Sequence, residues 1–152
     1  MAMSNDDVVD TLNDLIETCK DGEEGFRTCA EDIRHAELKT TFMTAAQRCA
    51  EAAQELQAEV TRLGGKPERK SSLSGSVHRR WVDIKQAIMG KDDAAVLAEC
   101  ERGEDVAKSS YQKALAKDLP PAIRAIVERQ YQGVLQHHDR VRALEKAAKA
   151  SS

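Results

Sequence analysis

The sequence predicts an all-α protein: a bundle of four long helices whose two halves are joined by one long crossover carrying a short helix of its own. Three observations lead there. Aromatic residues make up only 3% of the 152 residues, while Ala, Glu, Lys, Gln, Arg and Leu dominate; these side chains lose little rotamer freedom in a helix. Apolar residues recur at alternating spacings of three and four through four long segments. The links between the first and second and between the third and fourth segments are tight, which makes antiparallel hairpins, whereas the middle connection is long enough to return the chain to the opposite end.

Each element has its own punctuation. Ser4 with Asp7 three residues later reads as a capping box opening a helix over about 5–34, with a seam through Leu12, Ile16, Cys19, Glu23, Phe26, Ala30 and Ile33. A break near His35 and Ala36 precedes a helix over about 37–63, with Leu38, Phe42, Ala45, Cys49, Ala52, Leu56 and Leu63 on one face, stopped by Gly64-Gly65 and Pro67. A polar, Ser/Lys-rich loop then leads to the crossover helix, about 75–89, with Val77, Trp81, Ile84 and Ile88. Gly90 ends that helix, and Asp92 or Asp93 opens a third long one over about 92–117, with Leu97, Cys100, Glu104, Ala107 and Tyr111. Pro120-Pro121 starts the fourth, about 120–147, with Ile123, Val127, Gln130, Val134, His137, Val141 and Leu144. The small polar tail after Ala147 is expected to fray. Residues 1–152 thus read as a single domain.

The formal net charge is −3 with both signs mixed, which gives no global pull toward nucleic acid or an anionic membrane. No apolar stretch approaches the roughly 20 residues of a membrane span, and the N-terminus has no secretory pattern. A cytoplasmic protein is expected. Cys19, Cys29, Cys49 and Cys100 form no CxxC pair and read as free thiols, mostly small core hydrophobes. The basic crossover (Lys66, Arg69, Lys70, Arg79, Arg80, Lys85) has one nearby Trp and reads as a solvated surface rather than a nucleic-acid platform.

The segments LIETCKDGEEGF (15–26), ECERGED (99–105) and KDLPP (117–121), with the Gly64-Gly65 stop, resemble the bacterial domain of unknown function 2383 family, and the overall plan resembles a ferritin-like bundle. The resemblance implies that fold and, by analogy only, a role in stress or metal handling.

Glu23, Glu104 and Gln130 with His137 interrupt apolar seams. By helix fraction Glu23, Glu104 and His137 share one depth, within about one turn or 5 Å, with Gln47 and Glu51 of the second helix near the same layer. Gly22, Gly25, Gly103 and Gly133 cluster there too. Glu23, Glu104 and His137 are therefore candidate ligands for a divalent metal (iron, manganese or zinc), with Glu51 or His138 assisting. No Glu is followed three residues later by His, so the ligand set of the ferritin-like di-metal centre is incomplete and catalysis is not expected. The competing expectation is a satisfied polar layer in a metal-free interaction module, working through a homo-oligomer surface or the basic crossover, its protein partner unidentified. Adjacent His137 and His138 point about 100° apart, and the seam favours His137 as the inward one. His35 and His78 read as surface residues. A thiolate site from Cys19, Cys49, Cys100 and His137 lacks paired cysteine spacing.

Overall fold

The computed structural model describes residues 3–67 and 93–150. Four helices fill these ranges: α1 (Asn5–Asp32), α2 (Ala36–Arg62), α3 (Asp93–Leu115) and α4 (Pro121–Ala150). The expected crossover helix, its basic residues beyond Lys66, and His78 lie outside the described residues. Among the described residues no helix is long and apolar enough to cross a membrane.

The helix ends follow local chemistry. The Ser4 hydroxyl accepts from the Asp7 amide at 3.1 Å, capping α1. α1 ends two residues before the expected position, because Ile33 turns extended (φ −81°, ψ 140°) and is buried at 2% exposure. Burying Ile33 in the core replaces continuing the helix. At the end of α2, Gly64 takes φ +83°. The Gly65 amide donates to the Val60 carbonyl and the Gly64 amide to the Thr61 carbonyl, both at 3.0 Å; this is the paired Schellman closure that a left-handed glycine permits. α4 opens on Pro121, where a missing amide proton does no harm. It runs to Ala150, three residues past the expected end.

The pairings across helices fix their directions. Thr18 meets Ser110 and Cys29 meets Cys100, so α1 and α3 are antiparallel. Thr41 meets Arg140 and Glu55 meets Arg129, so α2 and α4 are antiparallel. Tyr111 meets Gln130 and Glu101 meets Arg142, so α3 and α4 are antiparallel too. α1 packs on α2 and α3, and α4 on the same two. α1 and α4 are thus the parallel diagonal, the arrangement a single long crossover produces.

The core is split in two. One apolar lobe gathers Phe26, Ile33, Leu38, Phe42, Leu97 and Val141; the other gathers Leu12, Ile16, Leu56, Val60, Tyr111 and Val127. The gap between the lobes is about two turns on α1 (Cys19 to Phe26) and α2 (Ala46 to Ala53), about three on α3 (Cys100 to Tyr111), and about two on α4 from the half-buried Val134 to Val141. That gap is the middle layer of the bundle, and the polar seam positions fall into it.

One expectation is corrected here. Cys29 and Cys100 are not free thiols: they form a disulfide joining α1 to α3 across a sequence separation of 71. Both are fully buried, and the antiparallel register that pairs Thr18 with Ser110 brings them opposite each other. Cys19 and Cys49 are free. The thiolate cluster drawn with Cys100 is therefore not available.

Candidate functional site

Glu104 and His137 meet in the middle layer. Glu104 Oε2 lies 3.7 Å from His137 Nε2, at 1% and 8% side-chain exposure. That distance is too long for a hydrogen bond, and among the described residues both carboxyl oxygens of Glu104 and Nε2 of His137 are buried without a hydrogen-bond partner. Burial pushes the Glu104 carboxyl up to about 8, reinforced by the nearby acids Glu101, Asp105 and Glu145. Burial also pushes the His137 imidazole down to about 4, reinforced by the Arg48 guanidinium and by His138. Distance alone would admit an ion pair. The two shifts instead make this a contact between a neutral acid and a neutral imidazole at neutral pH.

The imidazole is held by rings. Phe26 meets it edge-on at 5.0 Å between centroids and Phe42 at 5.9 Å, so its orientation is set by the adjoining apolar lobe. In front of the pair lies a cavity of about 50 Å³, walled also by Cys19, Cys49, Ala107 and Val134. Such a space has room for a few water molecules, and polar atoms separated by more than 3.5 Å across it are placed to share one.

Glycines shape this chamber. A Cβ at Gly22 would sit 3.0 Å from Cys49 Sγ, so α1 and α2 approach closely there because position 22 has no side chain. A Cβ at Gly133 would sit 3.3 Å from Cδ of Arg48. Arg48 lies across that glycine and donates from Nη1 to the Gly133 carbonyl at 2.7 Å. Arg48 lines the chamber and also two larger clefts between α2 and α4, of about 540 and 360 Å³. It stands between the interior pair and the outside.

The remaining sequence-derived candidates are placed otherwise. Glu23 is at the right depth but on the wrong face: it pairs with Arg27 at 3.0 Å and Lys20 at 4.0 Å along its own helix. Gly22, not Glu23, continues the inward seam between Cys19 and Phe26. Glu51 is exposed and accepts from Gln47 at 3.2 Å. Both depart from the expected ligand set. His138 is buried too, at 8% exposure, but it is His137 that lines the chamber. The stripe carrying His138 also carries Arg142, which reaches Glu101 at 3.4 Å, so that stripe faces α3. His35 is exposed, as expected. Among the described residues no group of three or more His, Cys, Asp or Glu side chains is arranged to hold a metal ion.

Gln130 belongs to a different network. Tyr111 donates to Gln130 Oε1 at 2.8 Å, and Gln130 Nε2 donates to Glu55 Oε1 at 2.7 Å. Glu55 in turn pairs with Arg129 at the surface. With the tyrosine proton committed to Gln130, the Cys19 thiol, 3.2 Å from Tyr111 Oη, is the donor in that contact. This chain is satisfied from core to surface and leaves no free chemistry. Burial also pushes the Cys19 thiol up to about 11 and the Cys49 thiol well above its usual range, so neither is a thiolate at neutral pH.

Comparison with known proteins agrees with this architecture. Residues 7–117 match the family described as "Domain of unknown function (DUF2383)". No curated protein matches the chain. Among solved structures the chain is similar to a two-domain protein from Anabaena variabilis containing DJ-1/ThiJ/PfpI-like and ferritin-like domains. That similarity has a TM-score of 0.79 at 21% identity over 97% of this chain, and this chain spans 41% of that protein. At that identity the likeness is one of fold.

Proposed function

The chain belongs to the domain of unknown function 2383 family, with a ferritin-like bundle fold, and from that premise we propose that it is a non-catalytic binding module whose mid-bundle layer is a small polar chamber. The observation that carries this reading is the buried Glu104–His137 pair, whose three unmatched polar atoms lie beside the cavity. The acid offers one donor and one acceptor, and the imidazole adds a further site. A cavity of about 50 Å³ suits water or a molecule of a few heavy atoms. Arg48 is the side chain that must move for anything larger to enter. The ferritin-like di-metal centre does not fit these residues: it draws on four carboxylates and two histidines, and one of each lines this cavity. No catalytic step is assigned, since both thiols beside the cavity stay protonated at neutral pH. A high-resolution crystal structure is the test. Ordered water or a small ligand bridging Glu104 and His137 supports the reading; a collapsed, dry contact refutes it.

A second reading, binding of one divalent ion and a role in stress or metal handling, is favoured by the same lone pairs, since carboxylate and imidazole suit iron, manganese or zinc. Protein purified without chelator decides between the two. Stoichiometric metal that Glu104→Ala abolishes would replace the first reading with the second.

The cystine bears on the proposed cytoplasmic location. Disulfides persist mainly in oxidising compartments, and this one has both cysteines fully buried. Its survival in the cytoplasm would depend on that burial, because a reductant reaches it only when the bundle opens.

A further inference from the structure

We propose that the smaller α2–α4 cleft is an oxyanion site that holds a phosphate group between Arg48 and Arg140. The two arginines come from α2 and α4 and line the same space of about 360 Å³, whose remaining polar wall is Thr40, Thr41, Thr44, Gln136 and His137, with no carboxylate in it. Among the described residues neither guanidinium is paired with an acid. Each is instead anchored by one neutral hydrogen bond. Arg48 donates Nη1–H to the Gly133 carbonyl at 2.7 Å, and Arg140 donates Nε–H to Thr41 Oγ1 at 3.4 Å. Thr41 gives its own proton to the Glu37 carbonyl at 2.8 Å, which turns its lone pair toward Arg140.

An anion in this cleft would meet two positive charges, one from each helix. Their uncommitted N–H groups form the forked donor sets that match phosphate oxygens, and the Thr40 and Thr44 hydroxyls add neutral donors on the α2 side. A cleft of this size exceeds a bare phosphate ion and suits a small phosphorylated molecule. The site adjoins the Glu104–His137 chamber and shares Ala45, Arg48 and His137 with it.

Calorimetric titration of the full chain at low salt tests this, with inorganic phosphate, a phosphomonoester (glycerol 3-phosphate) and acetate as probes. Saturable one-to-one binding of phosphate or the phosphomonoester is expected. Arg48→Gln and Arg140→Gln should each weaken it about tenfold. Arg140→Lys, which keeps the charge and loses the fork, should fall between. Arg142→Gln removes an equal charge two residues from Arg140, on the stripe that pairs with Glu101, and should leave the affinity unchanged. Tighter binding of the phosphomonoester identifies a phosphorylated molecule as the ligand; equal affinity identifies free phosphate. The proposal is overturned if neither phosphate probe saturates, if acetate binds as tightly, or if Arg142→Gln weakens binding as much as Arg140→Gln. Arg48, Arg140 and Arg142 are all exposed, and circular dichroism confirms that each variant is folded.

Discussion

Replacing Glu104 with Gln should flatten the dependence of stability on pH above neutrality. In the folded chain the carboxyl of Glu104 keeps its proton up to about 8, against an ordinary value of 4.5. Between those values the folded state binds a proton that the unfolded state has released, so stability falls as pH rises. His137 works in the opposite sense. Its folded value of about 4 lies below the ordinary 6.5, so between these values the unfolded state holds the extra proton and stability rises with pH. The two slopes cancel between 4.5 and 6.5, where both windows overlap. Above 6.5 only Glu104 contributes. At about 1.4 kcal/mol per pH unit, tapering as its own titration begins, it removes on the order of 2 kcal/mol by pH 8. At 1% exposure no discount for solvent screening is needed. Urea denaturation of wild type and Glu104→Gln at pH 6.5 and pH 8 measures this directly. The wild type should lose on the order of 2 kcal/mol more than the variant over that interval, while all other titrating groups cancel in the comparison. Equal losses in the two proteins would refute the assignment of a protonated Glu104.

Three further outcomes follow from the packing. Unfolded without reductant, the protein should titrate with two thiols, and after reduction with four; Cys100→Ser should lower stability by about 4 kcal/mol, from the entropy of the large loop the disulfide closes, as read by denaturation under non-reducing conditions. Gly22→Ala should destabilise despite the helix propensity of Ala, because its methyl meets Cys49 Sγ at 3.0 Å; in a Cys49→Ala background the same change should instead stabilise by up to about 1 kcal/mol, a reversal of sign seen by thermal melts of the four proteins. Tyr111→Phe should lower stability by about 1 to 3 kcal/mol, since it strands Gln130 Oε1 and the Cys19 thiol in the core, measured by urea denaturation.

The helices were legible because apolar spacing reports one buried stripe per helix, and because Ser4, Gly64-Gly65 and Pro120-Pro121 act through local backbone chemistry that needs no tertiary context. The polar layer was half legible. Glu104 and His137 keep the three-four register of their own helices, and antiparallel packing of α3 on α4 brings them together. Glu23 misled because Gly22 carries no hydrophobic signal: the seam passes through the glycine, and the next residue looks like its continuation. Cys29–Cys100 and Arg48 were opaque for a different reason. Each depends on which helices are neighbours, α1 beside α3 and α2 beside α4, and single-helix periodicity holds no such information. The clue to Arg48 lay on the far helix, in the absent side chain of Gly133.

The most direct test of the neutral buried pair is infrared difference spectroscopy at pH 7, wild type against Glu104→Gln. A carbonyl stretch of a protonated carboxylic acid that is present in the wild type and missing from the variant is the predicted result. A difference spectrum with only carboxylate bands would mean that Glu104 is ionised, and the interior contact would then be an ion pair.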